Sequence, residues 1–188
     1  QKAIQFVKDS LNDLLNGKYP MNKFIITKSL RGWYAKPQQI AHKVLADRIA
    51  ERDPGNKPST GSRIPFAYIQ TKKKEKLQGN RIETPTYIKE NDLKLDYAHY
   101  ITNQIMKPVQ QVFALPYVLN NIPAFRRRAK RLNNSIEYLK QTLSEEKFEK
   151  KVDVLRKKEV KELVFKESLR RAINSNQRNT MITAFFSS

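Results

Sequence analysis

The residues of this chain that could do chemistry are cations and aromatics placed at the ends of short elements. Lys28 directly follows the β-branched run Phe24-Ile25-Ile26-Thr27, and Arg31, Trp33 and Tyr34 come just after it. Arg48, Arg52 and Arg63 also fall at element ends, where a side-chain cation, backbone N–H groups and an aromatic can surround one phosphate. Trp33 and Tyr34 could lie against sugars, with core packing as the competing fate for at least one of them. The densest basic run, FRRRAKR from Phe125 to Arg131, makes Arg126, Arg127 and Arg128 candidates for phosphate contact. A basic linker or a nuclear-localisation signal is the alternative for that run.

Catalysis is excluded by subtraction. His42 and His99 are far apart and share no metal-ligand spacing, and the five glycines form no GxxxxGK phosphate loop. Glu145-Glu146 and Asp13 stand among lysines, where salt-bridged solvation of helix faces is the expected role. There is no cysteine, so disulfides, zinc fingers and thiol nucleophiles are closed off, as suits an intracellular protein. No catalytic residue and no metal ligand is expected in this segment.

The formal charge of +19, from 37 Lys and Arg against 18 Asp and Glu, far exceeds what solubility requires. It points to a polyanionic partner through counterion release, with nucleic acid first and an anionic membrane second. Both halves of the chain, divided at Pro116, carry the excess. The longest apolar stretch, Val112 to Leu119, is interrupted by Pro116 and is too short to cross a bilayer, so no membrane partner is expected. An initial Gln in place of Met suggests a piece of something longer. With 188 residues, 39% of them apolar, the chain can bury one good core or two small ones.

Periodicity supplies the elements that must position these groups. Ile4, Val7, Leu11 and Leu14 predict a helix over residues 3 to 15, closed by Gly17. A strand follows at Phe24 to Thr27, then a helix through PQQIAHKVLADRIAERD that places Arg48 and Arg52 in one row and stops at Asp53-Pro54-Gly55. Short strands are expected near Phe66 to Ile69 and Thr86 to Ile88, separated by a solvated turn in KKKEKLQGN. From Asp96 onward the pattern is helical, with a kink or break at Pro108. Phe148, Val152, Leu155, Leu163 and Leu169 form a narrow stripe that suits a long surface helix or a two-helix hairpin. The fold class expected is α+β with short strands in the N-terminal half and mostly α-helical in the C-terminal half.

Taken in order, FIITKSL, WYAKPQQIAHKVLADRIAERDPGNKPSTGSRIPFAYI and LDYAHYITNQIMKPVQQVF resemble the thumb and C-terminal region of family B DNA-directed DNA polymerases. The likeness is to the polymerase delta and giant-virus branch and covers residues 1 to 116. The matching positions are Thr27-Lys28, Tyr34, His42 with Ala46, Arg52-Asp53-Pro54-Gly55, Arg63-Ile64-Pro65-Phe66, and Asp96, Tyr100, Asn103-Gln104 and Lys107-Pro108. Ser62 stands where the family has Asp, His99 replaces the first of paired tyrosines, and Phe66 replaces Tyr, which alters local hydrogen bonding.

The resemblance implies a thumb that grips primer-template duplex by sequence-independent contacts, with Lys28, Arg31, Tyr34, His42, Arg48, Arg52 and Arg63 as DNA-binding residues. It also implies that the catalytic carboxylates and their Mg2+ ions belong to a palm upstream, so that the remainder of the polymerase chain is a partner. Cellular polymerase delta continues into cysteine-rich metal modules; the cysteine-free basic extension at 117–178 favours a viral enzyme, acting in the nucleus or at a cytoplasmic replication site. The tail 179–188, NTMITAFFSS, resembles a sliding-clamp peptide through Asn179, Ile182, Phe185 and Phe186, with docking on the protein's own core as the alternative. Competing with the polymerase reading are a stand-alone basic nucleic-acid-binding module and a helical scaffold that docks a processivity factor.

Overall fold

The computed structural model describes the backbone of residues 1–71 and 75–185, and their side chains except those of Arg127 and 177–185. In chain order the elements are α1 (Lys2–Leu15), β1 (Ile26–Ser29), α2 (Ala41–Arg52), β2 (Arg63–Tyr68), β3 (Ile82–Glu83), α3 (Pro85–Glu90), α4 (Tyr97–Tyr100), α5 (Met106–Phe113), α6 (Pro116–Asn120), α7 (Pro123–Thr142), α8 (Glu145–Val160) and α9 (Lys166–Phe185). They form two compact units, one of Tyr19–Tyr97 with the chain from Asn174 onward, the other of Gln1–Lys18 with Ala98–Ile173. Short strands followed by helices agree with the α+β class read from the sequence.

The unit that starts at Tyr19 is built on an antiparallel sheet of order β1-β2-β3. Register pairs Ile26 with Phe66 and Lys28 with Ile64, then Ala67 with Glu83 and Tyr68 with Ile82. Because side chains alternate along a strand, Ile26, Lys28, Ile64 and Phe66 share one face, and Ser29 and Arg63 share the other. The core includes Leu45, Ile64, Phe66, Ala67 and Ile82, with Ile88 of α3 packed beneath Ala67 and Ile69.

Three expectations are corrected in this unit. β1 begins two residues later than expected, because Pro20 starts a 3-10 turn over Met21–Phe24 that drives Phe24 into the core, its ring 5.6 Å from Tyr97. Lys28 is therefore the third residue of the strand, not the residue after it. Thr86 to Ile88 is helical: Thr84 Oγ1 accepts a hydrogen bond from the Tyr87 N–H at 3.3 Å and Pro85 occupies the first helical position, a capping signal stronger than the β-branched composition. Within KKKEKLQGN a single residue, Gly79, is buried while Lys76 to Gln78 and Asn80 stay exposed: a Cβ on Gly79 would lie 2.6 Å from Val44 Cβ on α2, and only glycine allows that approach. Residues 72–74 lie outside the described residues.

The other unit is helical. α1 buries Leu11 and Leu14 and ends at Gly17, whose φ of 70° is the left-handed conformation expected there. A π turn over Ile101–Ile105 precedes Pro108, so the proline falls in the first turn of α5, where a missing N–H is tolerated. Two residues, Leu143 and Ser144, join α7 to α8 as an antiparallel hairpin, spanned by the Arg128–Glu159 ion pair at 3.3 Å. Of the two arrangements the apolar stripe allowed, the long helix is the one found: a π turn over Lys161–Phe165 carries α8 on into α9, so Phe148 to Leu169 lie along one uninterrupted helical segment. Phe125 and Phe165 are fully buried in the core of this unit, each contributing about 1.5–3 kcal/mol from area removed from water.

Candidate nucleic-acid interface

The N-terminus of α2 carries no side-chain cap, because Ile40 occupies the N-cap position and has nothing to offer the first N–H groups. Those donors and the helix dipole favour an anion at that end. The chain brings cations to it. β1 delivers Lys28, the following loop delivers Arg31, and the second residue of α2 is His42. Lys28 and Arg31 are both close enough to His42 to disfavour its protonation.

Tyr34 ties this cluster together. Its hydroxyl accepts a hydrogen bond from the Arg31 backbone N–H at 2.7 Å and lies 3.1 Å from His42 Nε2, the two rings meeting edge to face with centroids 5.9 Å apart. Since the Tyr34 oxygen is already accepting from Arg31, its own proton is available to a neutral His42. Tyr34 is half-buried, whereas Trp33 is 78% exposed beside the cluster. Of the two aromatics, Tyr34 takes the packing role and Trp33 stays open to a ligand.

The remaining sequence candidates divide by what their charges already meet. Arg48 and Arg52 point into the fold. Arg52 makes a two-pronged contact with Glu83, Nη2 to Oε1 at 2.9 Å and Nη1 to Oε2 at 3.1 Å, and its guanidinium stacks 3.8 Å over the Tyr87 ring. Arg48 donates through Nη2 to the carbonyls of Gly79 and Ile82, at 3.0 and 2.7 Å. Its Nε is 3.0 Å from Glu83 Oε1, yet the N–H is not aimed at that oxygen, so the contact is one of charge without a hydrogen bond. These two arginines fasten α2 to β3, an internal role that their helical row did not reveal.

Arg63, at the start of β2 opposite Ser29, is exposed, and no carboxylate among the described residues pairs with Lys28, Arg31 or Arg63. In the helical unit, Phe125 to Arg131 is the start of α7 with Phe125 in the core, so the run is helix rather than linker. Arg126 Nε donates to the Asn120 carbonyl at 3.3 Å, Arg128 pairs with Glu159, and the Arg127 side chain lies outside the described residues. The clamp-peptide positions Asn179, Ile182, Phe185 and Phe186 likewise lie outside the described side chains. Sequence reading missed Glu83; its only signal was a single acid between Arg81 and Lys89 in a strongly basic stretch.

Burial, above all, and then the Lys28 charge hold the His42 pKa below its ordinary 6.5; a hydrogen bond to the Ser29 backbone opposes this, and Arg31 adds to the lowering. The folded state thus prefers neutral His42, so its contribution to stability is complete above pH 6.5 and is lost as pH falls toward the lowered value. A bound phosphate would reverse the local field and draw a proton onto the ring. Affinity for duplex DNA should therefore rise as pH falls from about 7.5 to 6, with a slope of at most about tenfold per unit for one proton. Fluorescence anisotropy at constant ionic strength measures the slope, and a slope that His42→Gln leaves unaltered would take His42 out of the interface.

Residues 1–116 match the sequence profile of DNA polymerase family B, and the chain belongs to that family. Its relatives include the DNA polymerase of Pyramimonas orientalis virus, 45% identical over an alignment 193 residues long that covers 98% of this chain. The DNA polymerase of Acanthamoeba polyphaga mimivirus is 50% identical over 129 residues, or 66% of the chain. The DNA polymerase delta catalytic subunit of Caenorhabditis elegans is 37% identical over 114 residues, or 60% of the chain. The chain spans 15%, 7% and 10% of these three relatives in turn.

No group of three or more acidic or histidine side chains among the described residues could hold a metal ion. No helix among the described residues is long and apolar enough to cross a membrane.

Proposed function

We propose that this chain is the thumb segment of a replicative DNA-directed DNA polymerase, where it grips the primer-template duplex by sequence-independent phosphate contacts. The observation that supports this most is the uncapped N-terminus of α2 with Lys28 and Arg31 brought to it, cations that no carboxylate among the described residues pairs with. Together they offer a backbone phosphate a helix dipole, two full charges and a tyrosine-held histidine, contacts that carry no sequence information. The exposed Trp33 supplies an apolar surface for an adjacent sugar.

In this reading the segment positions DNA and carries out no bond-making step. Nucleotidyl transfer, with the Mg2+ ions that the family resemblance implies, is assigned to carboxylates of the palm in the rest of the polymerase. That remainder is the first protein partner, a sliding clamp engaging the C-terminal tail is a second, and an intracellular replication site is the setting.

The test is Lys28→Ala in a primer-template titration over a range of salt. Losing one phosphate contact should lower affinity about eightfold at about 0.1 M salt, equally for unrelated sequences, and reduce the log–log salt slope by about 0.9. An unchanged slope would remove Lys28 from the contacts. Equal affinity for duplex, single strand and RNA would replace the thumb reading with a general basic module.

A further inference from the structure

The α7–α8 hairpin carries a surface groove of about 790 Å³, the size of a peptide or ligand site. Leu139 and Leu155 form its apolar base, and Tyr138, 67% exposed, stands in it. Lys130, Arg131 and Lys151 stand along it, and none of its lining residues is acidic. On α8, Lys150 is paired with Glu146 and Lys157 with Asp153. Lys130, Arg131 and Lys151 form no such pair among the described residues, so uncompensated positive charge remains where apolar surface is also exposed.

We infer that this groove docks an acidic amphipathic helix of a separate protein. An apolar base flanked by cations complements a helix with leucine-like anchors at i, i+3, i+4 and i+7 and carboxylates on either side of them. Nucleic acid fits less well: the groove offers one aromatic for stacking, and its floor is aliphatic. A separate protein is favoured over the polymerase's own shared body by where the groove lies. The family match ends at residue 116, and the delta-type relative aligns with only 60% of the chain, whereas the Pyramimonas virus polymerase aligns with 98% of it. Residues 130 to 155 thus lie beyond the segment that matches the family.

The probe is a fluorescein-labelled designed peptide of about 18 residues, five helical turns, with a leucine stripe flanked by glutamates. A scrambled peptide of identical composition controls for simple charge attraction to a +19 protein. Oligo-dT supplies the nucleic-acid arm, and the full chain is used throughout. The amphipathic peptide should bind about tenfold more tightly than its scramble, and Lys151→Glu and Tyr138→Ala should each abolish most of that preference. Both side chains are exposed, so neither variant should disturb the fold, which circular dichroism verifies, and both should keep wild-type affinity for primer-template. Equal binding of the two peptides, or a preference that survives both variants, would overturn the inference. So would oligo-dT binding that Tyr138→Ala weakens, because the groove would then belong to single-stranded nucleic acid.

Discussion

Replacing Glu83 with glutamine should lower the unfolding free energy of the chain by about 3 kcal/mol. Glu83 has only 6% of its side chain exposed and is met by Arg48 and Arg52 of α2. The amide keeps the volume and one acceptor, yet it removes the carboxylate that both guanidinium groups contact. Breaking a fully buried pair this way costs about 3–5 kcal/mol, and the partial exposure of the arginines, 23% and 36%, places the expectation at the low end. Urea denaturation of wild type and Glu83→Gln gives the difference. Arg52→Gln alone should cost less, and adding it to Glu83→Gln should cost less than the sum of the two single changes. A Glu83→Gln loss under about 0.5 kcal/mol would show that solvent already satisfies the arginines.

The same residues explain what could be read from the sequence. Apolar periodicity located α1, α2 and the helical second half, because one buried face every three or four residues is visible without tertiary knowledge. Cationic candidates were visible as residue types, but their roles depend on partners distant in sequence. Arg48 and Arg52 look like Lys28 and Arg31 in composition, and only the approach of Glu83, 31 residues beyond Arg52, separates fastening arginines from free ones. The error at Thr86 to Ile88 is of another kind. There the Thr-Pro pair that caps α3 is itself in the sequence, and its capping chemistry prevails over local β-branched composition. The hydroxyl bridge from Arg31 through Tyr34 to His42 needed the loop geometry, which no periodicity encodes.

Neutralising Lys28, Arg31 and Arg63 together should weaken primer-template binding about 500-fold at about 0.1 M salt and lower the salt slope by about 2.7. The reasoning is additive. Each cation that neutralises one phosphate releases about 0.9 of a counterion, which is worth about a factor of eight at that salt, and three such contacts multiply. Additivity is expected because no carboxylate among the described residues links the three side chains, and Lys28 and Arg63 lie on opposite faces of the β1–β2 pair. The fold should tolerate the change, since all three residues are exposed. The corresponding replacement of Arg48 and Arg52 should behave differently. It should lower stability through Glu83 and leave the salt slope of the surviving folded protein near wild type. Anisotropy titrations from low to moderate salt, paired with urea melts of each variant, separate the two outcomes. A triple variant that keeps the wild-type slope would move the DNA-gripping surface away from the N-terminus of α2, and a slope lost on removing Arg48 and Arg52 would mean that Glu83 releases them when DNA binds.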